Sequence, residues 1–207
     1  MQTFKQQVFL SCLIFIFTGC ASFYKPIAPQ KLSYQNSNSQ NGIELAYKYD
    51  VLRESGNRKY AKREFRHNLN VVALRITNNT DTTIVLGGNV ALFAGSVMIN
   101  PVSPYVMKKT LQQSVLGYSP YLLFFPFSFF YDSGSIRTTL NIGPLLALGL
   151  TGGNMLVAGT SNNAFYKELK LYNLVGMEIQ KGETKYGIIG IEGTVTAPLK
   201  IIRISKE

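Results

Sequence analysis

The chain has no tryptophan and one histidine, and its two cysteines, Cys12 and Cys20, both fall within the first 20 of 207 residues. Beyond Cys20 there is no thiol for a disulfide, a cysteine metal site or a cysteine nucleophile. A folded domain here must be held by its hydrophobic core. His67 has no second histidine or cysteine beside it, so it reads as a surface or capping residue rather than a metal ligand. Acidic residues are also few, 11 against 21 lysines and arginines, and they are scattered singly. Nothing arranges them as the carboxylate pair of a glycosidase. Gly187, Gly190 and Gly193 lie in a strand-rich stretch and not before a helix, so they make no phosphate cradle. The expectation is a protein that is not an enzyme, with no metal and no cofactor.

What the chain does have begins at its amino terminus. A short basic start ending at Lys5 leads into an apolar run, residues 8–17, too short to span a bilayer. It ends in Phe17-Thr18-Gly19-Cys20, which resembles the lipobox of bacterial lipoproteins, with Phe17 where leucine is usual. The resemblance implies that 1–19 is a removed signal peptide, that Cys20 is diacylated, and that the protein is lipid-anchored in the cell envelope. Ala21 is not the aspartate associated with inner-membrane retention, and residues 21–25 lack the acidic run associated with surface export. An outer-membrane location facing the periplasm is preferred, with the cell surface as the alternative. Lys5 is the only charge lost with the leader, so the formal net charge of +10 is nearly all retained. On an exported chain that excess favours anionic lipid or glycan surfaces over nucleic acid.

Residues 20–42 read as a flexible tether: Pro26 and Pro29 interrupt it, and 34–41 is polar and of low complexity. Residues 43–207 read as one domain. Ile43, Leu45, Tyr47, Tyr49 and Val51 alternate as in a half-buried strand, and 69–77 does the same with Val72, Leu74 and Ile76 on one face. Asn78-Asn79-Thr80-Asp81 supplies a turn. Short strands follow at 82–86 and 89–93, and three more at 175–180, 185–192 and 198–204, with Gly182 where a turn needs a positive φ. Asp81-Thr82-Thr83 matches a short O-glycosylation acceptor, but turn chemistry explains it as well. Between the strands, residues 52–68 carry Arg58, Lys59, Lys62, Arg63 and Arg66 and read as a basic loop. It serves either as a solvated turn protecting a sheet edge or as a contact for anionic head groups or glycan phosphates.

Residues 70–81 and 179–191 resemble the first and penultimate strand regions of immunoglobulin-like domains in uncharacterised bacterial lipoproteins of Bacteroidota type. The resemblance implies a mainly β fold, an immunoglobulin-like β-sandwich interrupted by an apolar, partly helical hairpin insertion at about 110–172, and no activity. In that insertion the only charged residues from Thr110 to Tyr166 are Asp132 and Arg137. Tyr121, Phe124, Phe125, Phe127, Phe129 and Phe130 crowd its first arm, which Pro120 and Pro126 keep from being a regular helix. Its second arm, 140–158, is rich in glycine and is expected to be buried, while the first is partly exposed. A helix is expected at 162–172, with Phe165, Leu169 and Tyr172 in phase.

Two functions fit. One is a non-catalytic interaction or structural module docking a protein of the envelope. The other is a lipid- or glycan-binding module that uses the basic stretch 52–68 and the aromatic stretch 118–131.

Overall fold

The structure, a computed structural model, describes residues 20–132, 137–193 and 197–204; the expected signal peptide, 1–19, lies outside the described residues. The chain divides into two compact units. The smaller joins residues 20–23 to Gln113–Ser161, and the larger joins Tyr24–Gln112 to the segment from Asn162 onward.

In the larger unit, β1 (Asn36–Gln40), β2 (Ile43–Lys48), β3 (Leu69–Asn78) and β10 (Thr184–Glu192) form an antiparallel sheet in the order β1-β2-β3-β10. A second antiparallel sheet has the order β11-β5-β6, from Leu199–Arg203, Val90–Ala94 and Val97–Ile99. Ile84–Val85 (β4) pairs with Glu178–Ile179 (β9). Strand β3 explains the layering. Its alternating side chains are apolar on both faces, which marks a strand covered on both sides. Val72, Leu74 and Ile76 join a core cluster with Leu45 of β2, Ile189 of β10, Leu92 of β5 and Ile201 of β11. Val71 and Ala73 join a second cluster, drawn mostly from helices.

Those helices are α1 (Val51–Glu54), α2 (Arg58–His67), α3 (Pro104–Leu111) and the last turns of α4 (Gly143–Leu171). Val51 and Leu52, Tyr60, Met107 and Leu111, and Phe165 and Leu169 supply their share of the second cluster. Ser103 caps α3 by accepting from the Val106 N–H at 3.4 Å, and Pro104 takes the first helical position, where its missing N–H costs nothing. The expected turn at 78–81 is present: the Asn78 side chain accepts from the Thr80 N–H at 3.0 Å and donates to the carbonyls of Thr82 and Ile179, both at 2.9 Å. Gly182 has φ 76, the left-handed conformation its turn requires.

The fold class is mixed rather than mainly β, with 36 % helix against 31 % strand. The stretch 52–68 is not a loop but α1 and α2. Its arginines, lysines, alanine and glutamate are good helix formers, and with few apolar residues to set a phase it does not announce a helix. Nor is 20–42 a loose tether. It carries β1, and Ile27 is buried in the second cluster. Polar residues order here because neighbours supply the hydrogen bonds.

In the smaller unit, residues Leu116–Phe124 form a 3-10 stretch, and β7 (Phe129–Asp132) pairs with β8 (Arg137–Leu140). The first turns of α4 follow. At Gly143 the chain comes so close that a Cβ would collide with the carbonyl oxygens of Phe124 and Phe125 and with the Phe127 nitrogen. Glycine alone fits there, and its N–H donates to the Phe127 carbonyl at 2.8 Å.

Candidate functional site

Within the larger unit, α1 and α2 border a cleft of about 670 Å³ lined by Asp50, Arg53, Arg58, Ala61, Lys62, Glu64, Phe65 and Asn70. Arg58, Lys62 and Phe65 recur along one side of α2 because residues three and four apart share a helix face. Tyr60 and Glu64, also four apart, turn inward and are buried. The Glu64 carboxylate accepts from the Val71 N–H at 2.6 Å through Oε1. No described residue hydrogen-bonds its second oxygen. Burial pushes the Glu64 carboxyl up from 4.5 to about 7; the Val71 N–H pulls the other way, and the Asp50 charge adds to the rise. Asp50 sits in the left-handed region at φ 54, a conformation aspartate tolerates. None of Arg53, Arg58 and Lys62 forms an ion pair among the described residues; on α1, Glu54 pairs with Lys48 at 2.7 Å. Phe65 stands 92 % exposed beside them.

Of the basic residues expected to meet an anionic surface, the fold brings Arg58 and Lys62 to this cleft and leaves Lys59, Arg63 and Arg66 off its lining. It adds Arg53, Asp50 and Glu64. The sequence signal for Glu64 was faint. One carboxylate among many cations looks like a solvated side chain until the phase of the helix is known. His67 is exposed, as its lack of partners suggested.

The first residues of the larger unit are fastened in place. The Tyr24 hydroxyl donates to Glu168 at 2.5 Å, and the same carboxylate accepts from the N–H groups of Ile27 at 3.1 Å and Ala28 at 2.9 Å. Asn57 accepts from the Lys25 N–H at 2.9 Å and donates to the Lys25 carbonyl at 2.7 Å. The Tyr24 phenol is raised far above its ordinary value, first by burial and then by the Glu168 charge. A buried carboxylate that accepts three hydrogen bonds makes a strong clasp.

In the smaller unit, Cys20 is half-buried and the residues after it are held by hydrogen bonds. The Ala21 N–H donates to Asn154 Oδ1 at 2.5 Å; Gln113 accepts from the Ser22 N–H at 3.1 Å and donates to the Ser22 carbonyl at 2.7 Å; the Ser161 hydroxyl donates to that carbonyl at 3.1 Å. The buried positions of this part of α4, Ala147, Thr151, Asn154, Ala158 and Ser161, are small or polar, spaced by three and four. Three of its leucines, Leu145, Leu148 and Leu156, are exposed, while Leu146 and Leu150 are half-buried. This reverses the expectation that the second arm is buried, since small residues on the inner face leave room for the backbone of 21–22 and push the bulky side chains outward. Phe125, Phe127, Phe129 and Phe130 of the expected contact set are exposed as well, together with Leu116 and Leu123. Tyr121 and Phe124 are half-buried and stack with centroids 6.4 Å apart. Burial and then the Cys20 thiol raise the Tyr121 phenol above its ordinary value. Among the described residues no helix is long and apolar enough to cross a membrane.

Among the described residues no group of three or more His, Cys, Asp or Glu side chains could hold a metal ion. Comparison with protein-family models, curated proteins and solved structures finds no match to this chain.

Proposed function

We propose that the chain is a lipid-anchored envelope protein with no catalytic role, whose smaller unit rests its apolar surface on the bilayer that holds the Cys20 acyl chains. One observation carries this reading: Leu145, Leu148, Leu156, Phe125 and Phe130 are exposed in the same compact unit that contains Cys20. Large apolar side chains left exposed together in one small unit point to an interaction surface. A surface so poor in charge, starting at an acylated residue, suits the head-group boundary, where phenylalanine and tyrosine are at home. The outer membrane, facing the periplasm, is the preferred site. Docking to an envelope protein is the other reading of the same patch, and pure lipid vesicles separate the two. Cys20→Ser protein without the expected signal, residues 1–19, and so unable to be acylated, is expected to float with vesicles, and Phe125→Asp with Phe130→Asp is expected to abolish flotation without lowering the melting temperature. No flotation of the Cys20→Ser protein would reject the bilayer reading and leave docking to a protein.

For the larger unit we propose the immunoglobulin-like β-sandwich that the sequence resembles. Its support is that one apolar cluster is drawn from both sheets, with Leu74 of β3 and Leu92 of β5 among its members. A double-mutant cycle of Leu74→Ala and Leu92→Ala is expected to show coupling on the order of 0.5 kcal/mol or more. Strict additivity would count against two sheets sharing one core.

A further inference from the structure

We infer that the cleft bordered by α1 and α2 is a binding site for a zwitterionic phosphodiester that carries a primary ammonium, the chemistry of a glycerophosphoethanolamine head group. This does not rest on the bilayer reading of the other unit. The volume of about 670 Å³ lies in the ordinary range for a small-molecule site. Its charges are of both signs and are not paired with each other: Arg53, Arg58 and Lys62 line it with no ion pair among the described residues, while Glu64 and Asp50 line it as carboxylates. A buried carboxylate is normally accompanied by a cation, because an isolated one is costly to remove from water. At Glu64 one oxygen holds the Val71 N–H and the other receives no hydrogen bond from the described residues. A ligand ammonium supplies the missing counter-charge, and with Asp50 on the same lining it meets two acceptors.

The three cations call for an anion with several acceptor oxygens. A phosphodiester offers more than a carboxylate and suits a guanidinium fork. The ammonium is assigned as primary because the cleft has carboxylates to accept its protons and only Phe65 as an aromatic lining residue. A trimethylammonium group needs a cage of aromatic faces and has no proton to donate. Phe65, almost fully exposed, is placed to touch the apolar part of the ester.

The groups around Glu64 are Asp50 and Arg53 from α1 and the residue before it, Arg58 and Lys62 from α2, and the neutral Asn70 from β3. Binding an ammonium favours the ionised Glu64, so affinity for the zwitterion rises between pH 6 and 8, a range in which neither a phosphodiester nor a primary ammonium titrates appreciably.

The test is titration calorimetry on the full chain in detergent, with glycerophosphoethanolamine, glycerophosphocholine and inorganic phosphate as probes. The expected result is saturable binding of the first, with an affinity for glycerophosphocholine weaker by about tenfold or more, the loss of charge-assisted hydrogen bonds. Glu64→Gln is expected to erase that preference and its pH dependence, whereas Arg58→Gln with Lys62→Gln weakens both esters alike. Equal affinity of the wild type for the two esters, or no saturable binding of glycerophosphoethanolamine, overturns the proposal without recourse to any variant. So does a Glu64→Gln protein that melts no lower than the wild type and keeps the preference. The source is read from competition: if phosphatidylethanolamine vesicles displace the soluble ester from the Cys20→Ser protein, the site takes a lipid head group, and if only the soluble ester binds, it takes the free compound. Either outcome supports the site.

Discussion

Glu64→Gln offers a direct measure of what the buried carboxyl of α2 costs the fold. The folded chain holds its proton up to about pH 7, whereas in the unfolded chain the group returns to its ordinary value of 4.5. Between those two values the native state binds more protons than the unfolded state, so stability declines as pH rises through that window. The contribution is complete below pH 4.5 and gone above about pH 7. A difference of that size corresponds to roughly 3 kcal/mol. The glutamine amide oxygen can still accept from the Val71 N–H, so the substitution removes the charge and spares the bond. Glu64→Gln is therefore expected to match the wild type near pH 4 and to be more stable at pH 8 by up to roughly 3 kcal/mol, a rise of several degrees in melting temperature for a chain of this length. Glu64→Ala, by contrast, leaves the buried Val71 N–H without its acceptor, at a cost of about 1–3 kcal/mol. Denaturant unfolding of the wild type and both variants at pH 4, 6 and 8 reads these differences. The comparison with Glu64→Gln isolates one group from every other carboxylate. A constant offset between wild type and Glu64→Gln across that range, or a variant less stable at pH 8, would refute the reasoning.

Cys20→Ser is expected to prevent acylation and either leave the signal uncut or lower, relative to the wild type, the share held in the membrane fraction by the apolar surface alone, checked by fractionation and mass spectrometry; wild-type protein without any acyl group would sink the anchor. Gly143→Ala forces a methyl group onto the Phe124 and Phe125 carbonyls and should disorder the smaller unit, read as loss of tyrosine near-ultraviolet dichroism. Glu168→Gln turns an amide N–H₂ toward the donors of Tyr24 and Ile27 or of Ala28, and is expected to cost about 1–3 kcal/mol and to expose residues 24–28 to proteases. Ala147→Asp, at a fully buried position, should lower stability sharply, whereas Leu145→Asp on the open side of the same helix should change it by no more than about 0.5 kcal/mol while weakening vesicle binding.

The strand segments were legible in the sequence because a half-buried strand shows its period directly. Leu69–Asn78, Thr184–Glu192 and the turn at Asn78 emerge within a residue or two of where alternation and turn chemistry put them. The stretch nearly free of charge between Thr110 and Tyr166 overlaps the smaller unit, which joins Gln113–Ser161 to residues 20–23. What alternation cannot report is a helix whose inner face is not apolar. Helix α2 buries a tyrosine and a glutamate and exposes a phenylalanine, and the first part of α4 buries alanine, threonine and asparagine while exposing Leu145, Leu148 and Leu156, so hydrophobic phase does not report either; the last turns of α4, with Phe165 and Leu169 buried, do follow it. The polar start of the chain misled for a related reason. Composition says that residues 20–42 cannot form a core of their own. It cannot say that Glu168 and Asn57, more than a hundred and about thirty residues away, clasp their backbone. The sequence by itself determined where the strands and the apolar segment lie. Tertiary structure alone decided which charges meet in one cleft and which way the leucines face, because both depend on contacts between residues far apart in the chain.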